Sequence, residues 1–135
     1  IGGDHGEQVH HPVVQGSRLI VEPAIYELRT GVRLDMATDK KSLGIPRRGG
    51  CGTLSASANA LFYRDSCPTA HEFSPSDGVG VLDSVTLPLT SSTRPGCWIN
   101  ILPVAGLIII PEASSGCVCA YPVQTSLALR PRKAN

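Results

Sequence analysis

The stretch HPVVQGSRLIVEPAIYELRTGVRL, residues 11–34, reads as three short strands joined by tight turns. His11 to Val14 is a strand, Gln15-Gly16-Ser17 a hairpin turn, and Leu19-Ile20-Val21 the returning strand. Ala24 to Leu28 is a third strand, closed by Arg29-Thr30-Gly31. Glycine permits a positive φ in both turns, and the intervening Val, Ile and Tyr suit a pleated, half-buried surface. The same pattern of apolar run, small-residue turn and apolar run returns at 54–63 and at 101–110. Superposing the copies on Leu19, Leu61 and Leu107 gives spacings of 42 (61 − 19) and 46 (107 − 61).

A period in the forties with only strand patterns is the signature of β-propeller blades. The chain is therefore expected to be all-β, with about three propeller-type blades of antiparallel sheet in a single domain over 1–135. The repeat units run roughly 9–47, 48–93 and 94–130, followed by a basic tail at 131–135. The second copy continues through Ala70 to Phe73 into the turn Ser74 to Gly78, at about the offset of Thr30-Gly31. Propellers usually have four to eight blades, so three periods do not close an ordinary ring. Uncovered β edges template aggregation. The chain is then a processed piece of a larger propeller, a sandwich that closes differently, or, as the favoured expectation, the partner of another protein chain or of copies of itself in a larger assembly.

Composition agrees with this reading. Fourteen glycines and eleven prolines in 135 residues, with 17% charged residues, describe a turn-rich chain rather than a helical or disordered one. The 41% hydrophobic content supports a core, which aliphatic side chains must largely fill because only one Trp, three Tyr and two Phe are present. A net charge of +1 offers no field to gather polyanions, which argues against a nucleic-acid partner. Lys40-Lys41, Arg47-Arg48 and Arg130 to Lys133 read as solvated loops and a tail. The longest apolar strand, Leu107 to Ile110, stops at Pro111, well short of the roughly 18 residues a membrane span needs.

Residues 11–34 resemble the pyrroloquinoline-quinone-like (PQQ-like) β-propeller repeat family, with its run of P-V-V, turn, apolar strand, Y-x-L and x-T-G-x-x-L. That family includes quinoprotein dehydrogenases and the propeller lipoprotein of outer-membrane assembly. RGGCGTLSAS…LFYR (48–64), RPGCWIN (94–100) and PEASSGCVCAYPVQTSLAL (111–129) look similar to the terminal portion of large secreted bacterial propellers. The resemblance implies an extracytoplasmic protein: periplasmic, outer-membrane-associated or secreted. The start Ile1-Gly2-Gly3-Asp4-His5-Gly6 has neither a basic nor an apolar leader region, and is expected to follow removal of upstream sequence.

Five cysteines are expected to give two disulfides and one leftover thiol. Cys117 and Cys119 share a side of an extended strand, and bridging them directly requires a tight bend, which Gly116 permits. Cross-links from this pair to Cys51 and Cys97 are preferred, because each of those follows a glycine within a family-like segment. Cys67 lies outside those segments and is the candidate free thiol. A thiolate metal site from Cys51, Cys97, Cys117 and Cys119 is the competing reading, weakened by a C-x-C where zinc knuckles carry C-x2-C.

His5, His10 and His11 lie near Asp4 and Glu7, a mixed nitrogen and oxygen set for a metal through His5, His10 and Asp4. The competing reading is solvated or inter-chain histidines, and His71 beside Glu72 is expected at a surface or interface. No G-x-S-x-G elbow, P-loop or H-E-x-x-H occurs. In quinoprotein dehydrogenases the cofactor sits on the axis of a complete ring, over a Trp and a disulfide, with calcium ligands. The corresponding candidates to face a ligand or a partner here are Trp98, Asn100 and Glu112, against competing readings of Trp98 as an aromatic packed on a disulfide and Glu112 as the solvent-exposed end of a buried strand; no adjacent Cys-Cys pair is present. The leading expectation is a non-catalytic extracytoplasmic module with no cofactor. The alternative is a fragment of a PQQ-like propeller oxidoreductase, using PQQ with calcium or another metal. Thr38 to Gly50 and Ser84 to Gly96 are expected as the long irregular connections either function would use.

Overall fold

Hairpin tips set the frame of each sheet in the computed structural model, which describes residues 11–21, 24–34, 52–65, 67–72, 85–93, 95–96, 100–112 and 123–132. The described residues are all-β, with strands β1 (Val13–Gln15), β2 (Arg18–Val21), β3 (Ala24–Glu27), β4 (Ser55–Ala56), β5 (Ala60–Arg64), β6 (Pro68–Glu72), β7 (Val85–Pro88), β8 (Leu102–Val104), β9 (Leu107–Ile110) and β10 (Leu127–Leu129). They form three antiparallel meanders: β1-β2-β3, β4-β5-β6-β7 and β8-β9-β10.

Gln15 pairs with Arg18 across the two-residue tip Gly16-Ser17, and Val104 pairs with Leu107 across Ala105-Gly106. Gly16 has φ +58°, whereas Ala105 at 50° and Gly106 at 77° carry the two successive positive values of a type I′ turn. In the middle sheet the Ser57 N–H donates to the Ala60 carbonyl at 2.9 Å, leaving Ala58-Asn59 at the tip. Counting from these tips, Leu19 and Leu61 correspond to Ile108 rather than to Leu107, so the spacings are 42 (61 − 19) and 47 (108 − 61). The correction matters because a one-residue slip in a strand exchanges its two faces.

The first meander extends beyond three strands. Leu28 to Gly31 turns the chain back so that the Glu27 N–H donates to the Val32 carbonyl and the Leu34 N–H to the Ile25 carbonyl, both at 2.8 Å. Tyr26 and Arg33 form the bridge between these bonds. The Glu27 carboxylate holds the turn, accepting from the Thr30 N–H at 2.6 Å, the Thr30 hydroxyl at 2.8 Å and the Arg29 N–H at 2.9 Å. Those donors, the Thr30 N–H foremost, hold its carboxyl below the usual range.

The segment Ser84 to Gly96 is not wholly irregular as expected. Its residues Val85–Pro88 are β7, paired with Glu72 to Thr69 of β6. The strand is exposed along its length and ends in proline, which an edge strand tolerates because one side of its backbone has no ladder partner. Residues 38–50 and the turn at 74–78 lie outside the described residues.

The sheets stack with the middle one covered on both sides. Leu61 and Tyr63 of β5 pack with Ile20 and Ile25 of the first sheet, together with Leu54. Ala60 and Phe62, on the opposite face of the same strand, pack with Ala70, Ile101 and Ile110. A strand buried on both faces needs a continuous apolar run, which Ala60-Leu61-Phe62-Tyr63 supplies.

Side-chain links reinforce the stack along the first strands. The Gln15 amide donates to the carbonyls of Ser57 at 2.8 Å and Ala58 at 3.3 Å. The Ser55 hydroxyl donates to the Ile101 carbonyl, and the Asn100 amide to the Thr53 carbonyl at 3.0 Å. All these bonds join first strands or their approaches. Accordingly β1 lies against β4 and β4 against β8, so the sheets approach each other most closely at their first strands.

Two outcomes follow for stability. Leu61→Ala and Ile110→Ala, each removing a fully buried side chain from one of the two cores, should each cost about 2–5 kcal/mol in urea unfolding. Ala105→Asn should instead stabilise by about 1 kcal/mol, because it places an Asn-Gly pair where the turn demands positive φ and relieves alanine of that conformation.

Candidate functional site

A consistent facing of the three sheets emerges from the strand register. Residues three after each hairpin tip point one way along the stack, here termed the front. Ile20 of the first sheet packs against the middle sheet, and Phe62 of the middle sheet against the third. Residues two and four after the tip point to the rear. Leu61 and Tyr63 pack backward onto the first sheet, and Ile108 and Ile110 backward onto the middle one. Every internal contact is therefore front against rear.

The third sheet's front is the face that Ile109 shares with its cross-strand neighbours Leu102 and Ala128, and that Leu107 shares with Val104. All five are apolar. Leu102 is 43% exposed, Val104 50% and Leu107 38%. The first sheet's rear is the face of Val14, Leu19 and Tyr26, with Val21 and Ala24 alongside. Its one charge among the paired residues is Arg33, the bridge partner of Tyr26, and Val14 is 58% exposed. A sheet with one solvated face normally alternates apolar with polar positions, whereas these two outer faces expose mainly apolar side chains.

The titratable group of most interest among the described residues is His71. Expected at a surface or interface, it is instead 1% exposed, on the rear face of the middle sheet beside its cross-strand neighbour Leu61. Its Nδ1 lies 3.0 Å from the Thr86 hydroxyl of β7, and its ring lies 6.5 Å from that of Tyr63 at a 50° tilt. Burial pushes its pKa below the ordinary value, keeping the imidazole neutral. Parity would have placed His71 inside had β7 been recognised, since β7 turns β6 from an edge into an interior strand.

The other sequence candidates are dispersed. Asn100 is buried; its amide donates to the Thr53 carbonyl at 3.0 Å, and its buried Oδ1 has no hydrogen-bond partner among the described residues. Glu112 is exposed just beyond β9, its N–H donating to the Ser126 hydroxyl at 2.9 Å. Of these two residues only Glu112 is exposed.

Cys67 is a half-buried free thiol in the turn before β6. Its carbonyl accepts from the Asp65 N–H at 3.0 Å and the Thr69 hydroxyl at 2.9 Å. Cys51, Cys97, Cys117, Cys119, Trp98, Asp4, His5 and His10 lie outside the described residues. Among the described residues no group of three or more His, Cys, Asp or Glu is placed to hold a metal ion, and no helix is long and apolar enough to cross a membrane. No family model, curated protein or solved structure matches the chain.

Burial of neutral His71 has a signed consequence. Above its ordinary pKa of 6.5 the imidazole is neutral in both folded and unfolded chains, and contributes no pH dependence. Below that value the unfolded chain takes up a proton that the buried ring resists, so stability falls with falling pH. Urea midpoints measured from pH 8 down to about 5.5 should therefore decline below about 6.5. His71→Gln should flatten that decline.

Proposed function

We propose that the chain is a non-catalytic β-propeller-type interaction or structural module, three blades of a larger ring that works outside the cytoplasm. The observation that carries this reading is the uniform front-to-rear facing of three meanders that converge on their first strands. Radially repeated antiparallel sheets, each feeding one face to the next around an axis, have that geometry. A two-layer sandwich does not, since its sheets meet inner face to inner face. The four-stranded middle sheet and the extra rungs beside β3 also suit the four-stranded blade.

In this reading the outer faces are where neighbouring blades dock. Cys51, Cys97, Cys117 and Cys119 are proposed as disulfide staples between blades, restricting the unfolded chain by a few kcal/mol per link. Cys67 remains a thiol. The likeness of residues 11–34 to PQQ-like repeats then concerns blade architecture, while Asn100, engaged inside the fold, weighs against carrying over the dehydrogenase chemistry.

Native mass spectrometry of the unreduced protein tests the proposal. The expected chain carries no quinone or metal and is lighter by two hydrogens for each of two disulfides. A tightly held quinone with calcium would overturn the reading in favour of an oxidoreductase fragment.

A further inference from the structure

Within the stack, front meets rear twice. The first sheet's front covers the middle sheet's rear, and the middle sheet's front covers the third sheet's rear. Among the described residues no further sheet covers the front of the third or the rear of the first. These two faces are the two halves of the same kind of interface. The front offers Leu102, Val104, Leu107 and Ile109, and the rear offers Val14, Leu19, Val21 and Tyr26.

Apolar side chains stand at these positions where a solvated face would alternate with polar ones. The paired strand residues of the front carry no charge, and those of the rear carry one, Arg33, the bridge partner of Tyr26. Because front and rear differ, a contact between them is heterologous and either closes into a ring or runs on as a filament. Closed propellers contain about four to eight blades, and the only multiple of three in that range is six.

We infer that the occupant of both faces is a second copy of this chain, the front of each third sheet packing on the rear of the other copy's first sheet, so that two chains close one ring of six sheets. The inference rests on the module reading above. The contact continues an interface the chain already makes twice within itself. Closing the ring uses both faces of both copies and leaves no outer face for a filament.

Sedimentation of the full chain in the presence of reductant, which excludes covalent dimers, provides the test. The wild-type protein should sediment at about twice its 14.2 kDa chain mass. Val104→Glu on the front and Val14→Lys on the rear should each sediment as a single chain. Both positions are at least half exposed, so far-UV circular dichroism should be unchanged. Leu102→Glu gives a second test of the front.

An equimolar mixture of Val104→Glu and Val14→Lys should return to the two-chain mass. In the mixed ring one interface sets Glu against Lys and the other is unaltered. A wild-type single chain, an open-ended series of masses, or a two-chain species untouched by Val14→Lys, as a front-to-front dimer would be, overturns the inference. A single chain free of cofactor overturns the ring and leaves the module reading standing. A bound quinone overturns the module reading whatever the mass.

Discussion

β5 is covered on both faces, and the remainder of the described architecture is arranged around that strand. Four consecutive residues, Ala60 to Tyr63, are buried, with Leu61 and Tyr63 pointing to one neighbouring sheet and Ala60 and Phe62 to the other. Alternation along a pleated strand is what makes one short run serve two cores. With small aromatic content, the chain fills those cores largely with Ile, Leu and Ala, and spends two of its six aromatics, Phe62 and Tyr63, on this strand.

Two-sided burial of the middle sheet also explains why the polar links gather where they do. Where first strands approach closely there is little room for large side chains. Gln15, Ser55 and Asn100 occupy these positions, each donating to a backbone carbonyl of the adjacent sheet or its approach. Such bonds satisfy the donors, while the amide oxygens of Gln15 and Asn100 are buried without a partner among the described residues. The middle and third sheets are linked on their other side as well, where the Val123 N–H donates to the Ser92 carbonyl and the Thr93 hydroxyl to the Thr125 carbonyl, both at 3.1 Å.

The third sheet has the composition of a two-sided strand but the environment of a one-sided one. Leu107-Ile108-Ile109-Ile110 is as continuously apolar as β5, yet Ile110 is buried while Leu107 is 38% exposed. That mismatch between pattern and surroundings is the physical basis for assigning the outer faces to association. A histidine held neutral one layer deeper, between the first and middle sheets, gives the same stack a response to acid.

Local chemistry made the hairpins legible. Gly16 and Gly106 mark their tips, and the Val, Ile and Leu runs beside them are strands as read from sequence. Other features escaped that reading for specific reasons. Val85 to Pro88 is four residues long, ends in proline and is exposed throughout, so its short alternation of Val, Thr and Leu is a weak strand signal. It becomes a strand through pairing with β6, which in turn carries His71 inside. Leu107 and Ile108 are equally apolar, so the pattern leaves the third repeat's register open by one residue, and only the tip at Ala105-Gly106 sets it. Asn100 was read by its neighbourhood in sequence, whereas its partner Thr53 lies 47 residues away. Sequence alone thus determined that the chain makes short antiparallel hairpins in three copies, since turn glycines and β-branched runs act over a few residues. Which face of each hairpin is covered was decided only in the tertiary structure, because a continuous apolar strand has no intrinsic inside until a neighbouring sheet packs on it.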